Sequence, residues 1–80
     1  MIEGDRMDKN YKEQYRSLGL NIAYYRKKKG FTQMKFAEAL NIDRSHISAI
    51  ELANVGTSLD VIFRMCEILE ISPKELFDFR

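Results

Sequence analysis

The chain contains no tryptophan, one proline, one cysteine, one histidine and four glycines in 80 residues, and each shortage closes off a class of answers. Pro73 and so few glycines leave little room for strands and tight hairpins, whereas Lys, Glu, Leu, Ala, Met and Arg supply good helix formers, so the chain reads as all-α. Cys66 alone can form neither an intrachain disulfide nor a cysteine-rich zinc site. Its place in an apolar helical run predicts a small core side chain. With one histidine, one cysteine and no glycine-rich phosphate loop, no convergent catalytic set is available, and the acidic residues lack a partner set for a metal. Neither an enzyme nor a cofactor is expected. No apolar run approaches the roughly 18 residues of a bilayer span, and residues 1–6 carry no signal-type apolar stretch, so a cytoplasmic protein without a membrane role is expected.

What is present is the composition of one small domain, 45% hydrophobic and 31% charged. A chain of this length buries only about 60% of its unfolded surface, so dimerisation would add useful stability. Residues 1–10 are charged and aperiodic, which predicts a flexible tail with Met7 as a candidate natural start, followed by a single domain over 11–80. Tyr15, Leu18, Ile22 and Tyr25 recur at helical spacing and mark a first helix, which Gly30 stops. Asn54 and Gly56 signal a loop later in the chain. Ser58 then caps a helix whose stripe is Leu59, Ile62, Met65, Cys66 and Leu69. Ser72-Pro73-Lys74-Glu75 is a capping box that opens a short last helix carrying Leu76.

The net charge is only +1, yet residues 24–47 carry six basic groups against two acidic ones, and residues 48–80 carry three against six. A phosphate backbone needs a local positive surface rather than a high overall charge, so this distribution favours salt-sensitive nucleic-acid binding. The basic excess falls on the most informative stretch of the chain. There Phe36, Ala37 and Leu40 form one apolar stripe and Ile47 and Ile50 another, with Thr32 and Asp43 placed to cap the two helices. Asn41, a residue that tolerates left-handed backbone, stands where the chain must reverse. Ala37 is small enough to lie where the two helices cross. An ordinary helical hairpin in a bundle would use the same residues as core alone.

In a window starting at Gln33, Phe36, Ala37, Leu40, Ile42, Ile47 and Ile50 fill the fourth, fifth, eighth, tenth, fifteenth and eighteenth-place requirements of the twenty-residue helix-turn-helix pattern. The stretch thus resembles the Xre/Cro-type, lambda repressor-like DNA-binding domains, and the likeness extends over about residues 18–77. Asn41 replaces the pattern's glycine. The resemblance implies a five-helix domain with a central helix-turn-helix. It also implies that Gln33 meets a phosphate and that Arg26 and Glu51 form a structural ion pair. Ala53 and Thr57 stand where glycine and proline are common, which predicts an altered path for the loop after the second motif helix.

On that second helix Ile47 and Ile50 point inward, which leaves Arg44, Ser45, Ser48 and Ala49 to face base edges. Arg44 is the best candidate reader, since a guanidinium donates twice to guanine O6 and N7; a phosphate contact or a solvated arginine is its alternative. Ser45 and Ser48 pair with several bases, and Ala49 can pack on a thymine methyl. Lys28, Lys29, Lys35 and His46 are candidate phosphate contacts beside Gln33; the run at 26–29 also suits a solvated face, and His46 a partly exposed side chain. The expected function is a sequence-specific regulator, a repressor, that binds a palindromic site in double-stranded DNA as a homodimer. The alternative is an antitoxin-type or adaptor module that binds a protein through Phe63, Phe77 and Phe79.

Overall fold

The computed structural model describes residues 7–79. Five helices follow one another: α1 (Lys12–Lys28), α2 (Gln33–Leu40), α3 (Arg44–Glu51), α4 (Leu59–Leu69) and α5 (Pro73–Leu76), with no strand among the described residues. The architecture is the expected all-α, five-helix one. A 3₁₀ turn over Lys9–Tyr11 precedes α1, and the Asp8 carboxylate accepts the Asn10 N–H at 2.9 Å. Winding therefore begins inside the stretch read as a tail, because one aspartate supplies a local cap that aperiodic composition does not reveal. The same expectation for residues 1–6 falls outside the described residues.

Most helix ends obey the chemistry of their sequences. The Thr32 hydroxyl accepts the Lys35 N–H at 3.1 Å at the head of α2, and Ser58 accepts the Val61 N–H at 3.2 Å at the head of α4. Asn41 adopts the left-handed conformation at φ 58°, and the N–H groups of Asn41 and Ile42 turn back onto the carbonyls of Glu38 and Ala37. Asp43 differs from expectation. It occupies the N-cap of α3 in extended backbone, but its side chain makes no capping bond, and the His46 N–H reaches the Asp43 backbone carbonyl at 3.0 Å instead. At α5, Glu75 accepts the Ser72 N–H at 2.9 Å.

Helix α3 packs on α2 and α1, while α4 backs α2 and carries α5. Ile22, Phe36, Leu40, Ile47, Ile62, Met65 and Leu76 are fully buried between these layers, each contributing about 1.5–3 kcal/mol. Ala37 and Cys66 are buried too, and burial pushes the Cys66 thiol pKa upward, with Glu75 adding to the shift. Cys66 is thus a core residue, as the apolar stripe predicted. Gly19 sets how closely the layers approach: a Cβ there would lie 2.4 Å from the Glu51 carbonyl oxygen and 2.8 Å from that of Ile50. Helix α1 crosses the C-terminal end of α3 with backbone against backbone.

Candidate nucleic-acid interface

The site is built on a chain of side-chain contacts that joins three helices. Arg26, late in α1, meets Glu51, the last residue of α3, through Nε to Oε2 at 2.6 Å and Nη2 to Oε1 at 3.1 Å. Its third arm, Nη1, donates to the Phe31 carbonyl at 2.8 Å and so holds the connection between α1 and α2. Both side chains are buried, and the two-pronged geometry is what makes a buried charge pair tolerable. The Gln33 side chain, at the head of α2, donates from Nε2 to Glu51 Oε1 at 3.0 Å. Gln33 Oε1 in turn accepts from Arg44 Nη1 at 3.2 Å. The candidate reader at the head of α3 is therefore tied, through one amide, to a buried anion.

The expected site residues divide into those that join this constellation and those that stand apart. Arg44 and Ser45 are exposed at the start of α3, with His46, Ser48 and Ala49 half-buried beside them. Ile47 and Ile50 point into the core, so the packing face of α3 lies where their spacing placed it. Gln33 has its carbonyl and one N–H engaged inside the protein, which leaves its second N–H for an outside acceptor. Lys35 lies on the exposed face of α2, 3.7 Å from Glu38. Lys28 sits over the Tyr24 ring, 5.8 Å from its centroid. Lys29 pairs with Glu70 at the end of α4, and this ammonium, by hydrogen bond first and charge second, holds the Glu70 carboxyl below its usual pKa. The lysine run thus supplies no member of the Arg26–Glu51–Gln33–Arg44 chain.

Sequence reasoning missed three supports of this geometry. Gly19 admits the end of α3 against α1, and its signal is a glycine inside a run of helix formers. Arg64 donates from Nη2 to the Leu40 carbonyl at 2.6 Å, placing a cation on the C-terminal end of α2 where the motif turns. Lys12 donates to the Ala53 carbonyl at 3.0 Å and ties α1 to the segment after α3. Nothing in the local sequence announces either long-range contact. Ala53 is buried with φ 60°, the left-handed conformation that a glycine would adopt without strain, and it closes α3 as the N–H of Asn54 returns to Ala49.

The helix-turn-helix family model matches residues 22–76. An uncharacterized HTH-type transcriptional regulator of Bacillus subtilis (strain 168), YazB, is 41% identical over 58 residues, which span 72% of this chain and 84% of that protein. The restriction-modification controller protein C.AhdI of Aeromonas hydrophila superposes with a TM-score of 0.77 at 29% identity, covering 81% of this chain and 98% of that one. SinR of Bacillus subtilis, a master regulator for biofilm formation solved in complex with DNA, superposes with a TM-score of 0.71 at 29% identity, covering 76% and 98%. The helix-turn-helix with its packed and presented faces, the match over 22–76 and these relatives together show that the chain belongs to the Xre/lambda repressor-like helix-turn-helix family of DNA-binding transcription regulators, which are not enzymes.

Proposed function

We propose that this protein is a cytoplasmic repressor that reads a palindromic operator as a homodimer, with α3 of each copy in the major groove. The observation that carries this reading is the Gln33–Arg44 contact, braced by Glu51. A guanidinium held at the exposed head of α3 loses less freedom when it meets guanine O6 and N7 than one that must be ordered on binding. Ser45, Ser48 and Ala49 complete the reading face. The free N–H of Gln33, together with Lys35, His46 and Lys28, serves the phosphates, with Lys29 joining them if its pair with Glu70 opens. That SinR, similar over 76% of this chain, was solved in complex with DNA supports DNA as the partner. Two copies on a palindrome place their reading helices about 34 Å apart.

A second reading has its own observation. Phe63, Phe77 and Phe79 are exposed and have no polar role, which suits a module whose main partner is another protein. Selection of bound sequences from a random DNA pool, followed by competition shift assays, separates the two. Recovery of an inverted repeat that resists random competitor supports the repressor; a pool without consensus, displaced equally by any DNA, removes it.

A further inference from the structure

The C-terminal ends of two helices meet in this domain, with a cation between them. Lys29 is the C-cap of α1, and Glu70 is the C-cap of α4. The two share a cleft of about 320 Å³ with Tyr25, Lys28 and Glu75. The C-terminal end of a helix carries partial negative charge, so α1 and α4 both favour a cation here, and the Glu70 carboxylate adds a full charge to theirs. Lys29 Nζ accordingly donates to Glu70 Oε1. Glu70 itself stands in left-handed backbone at φ 58°, a place ordinarily held by glycine or asparagine. Its N–H returns to the Glu67 carbonyl and the Ile71 N–H to that of Cys66, so the carboxylate springs from backbone that the helix end fixes. An acid kept there at the cost of backbone strain has a use for its charge.

We propose that the Glu70 carboxylate takes the place of a DNA phosphate on Lys29, and so acts as an intramolecular brake on the affinity for every DNA sequence. The proposal rests on DNA as the partner and deepens that reading by naming the residue that limits binding. Lys29 is well placed to reach a duplex. Gln33, at the head of α2, follows it by four residues, a span of at most about 14 Å. Arg26 grips the Phe31 carbonyl between them, which fixes this connection against the Arg26–Glu51–Gln33–Arg44 chain. Phosphates succeed one another closely along a strand, so a backbone that meets Gln33 brings others within the reach of a lysine at position 29. The ammonium has one position to offer. While it stays on Glu70 it releases no counterion from DNA, and the carboxylate side chain, 72% exposed, remains in water where it repels the same phosphates.

Anisotropy titrations of a labelled random-sequence duplex over a series of salt concentrations test this, on full-length variants that retain helical circular dichroism. Glu70→Gln should bind about 2- to 5-fold more tightly, the range of an exposed ion pair, and should steepen the dependence of log K on log salt by about 0.9, the value of one added phosphate contact. Glu70→Asn, a residue at ease in left-handed backbone, should show the same gain. Lys29→Ala should cost the Glu70→Gln variant all of its gain and its added slope, a larger loss than it causes in the wild type. Glu67→Gln removes an exposed carboxylate one turn earlier that joins no ion pair among the described residues, and should leave the slope unchanged. A gain that survives Lys29→Ala, or that Glu67→Gln matches, would be general relief of charge repulsion and overturns the proposal. Wild-type binding with no gain in either Glu70 variant overturns it as well, and leaves DNA as the partner. If neither the wild type nor any variant binds the duplex, the brake and the DNA reading fall together. A random duplex contains no operator, so these outcomes are independent of whether a palindrome is read.

Discussion

Glu51 accepts twice from Arg26, at 2.6 and 3.1 Å, and uses one of the same oxygens to accept from Gln33 at 3.0 Å. One buried carboxylate thus serves both stability and the proposed reading face. Glu51→Leu alone strands the guanidinium, and Arg26→Met alone strands the carboxylate, so each should cost about 3–5 kcal/mol in urea unfolding. The double variant, with two apolar side chains of similar volume, should recover most of that loss. It should nevertheless bind its operator more weakly, because Gln33 has lost its anchor. Additive losses in the double variant would mean that the two side chains act separately.

Arg44→Ala should weaken binding to the selected operator by about 1–3 kcal/mol and leave non-specific affinity nearly unchanged. Gln33→Leu should weaken the same binding by less, since Arg44 remains but is no longer held. Titrations against cognate and scrambled duplexes at one fixed salt concentration measure both. Equal losses on every sequence would recast Arg44 as a phosphate contact.

The helix-turn-helix itself was legible because local periodicity and end chemistry specify it: Phe36, Ala37, Leu40, Ile47 and Ile50 bury as their spacing predicts, and Thr32 and Asn41 close the ends as their side chains allow. The Arg26–Glu51 pair came from the family resemblance, since a separation of 25 positions leaves no local trace of it. Asp43 shows the limit of a cap rule. The residue type fixes what a side chain can accept, but its rotamer is decided by surroundings that only the fold supplies. Lys29 illustrates the same point for charge: a basic run counts cations, whereas the Glu70 carboxylate that engages one of them arrives from 41 residues away.

Gly19→Ala should destabilise the domain by about 1–3 kcal/mol, although alanine is the better helix former. The added methyl would meet the backbone carbonyls of Ile50 and Glu51, which are held in α3 and cannot rotate aside. Thermal unfolding checks this. An unchanged or higher Tm would show that α1 can lift from α3 without loss.

Glu70 should titrate below the ordinary glutamate value of 4.5, because Lys29 stabilises its charged form. A carboxyl whose pKa is lowered by folding contributes stability above its unfolded pKa and loses it as pH falls through the folded one. The contribution is therefore present at neutral pH and fades in acid. Side-chain NMR titration should place the Glu70 midpoint below 4.5, and Lys29→Ala should bring it back. No movement in the lysine variant would mean that the pair is not formed in solution.

Thr57 carries the remaining local cost. Its hydroxyl oxygen is buried without a hydrogen-bond partner among the described residues, and a polar group in that state loses its water without compensation. Valine keeps the branched shape and removes the unpaired group, so Thr57→Val should stabilise the domain by about 1 kcal/mol. Thr57→Ser should give no such gain, since it keeps the hydroxyl and loses a methyl. Thr57 lines a cleft with Tyr15, Leu59 and Phe77, none of them a proposed DNA contact, so neither variant should change the operator sequence that is selected. Denaturant midpoints of the three proteins decide the matter: valine above threonine, with serine at or below it, is the expected order, and a destabilised valine variant would show that the hydroxyl is bonded in solution.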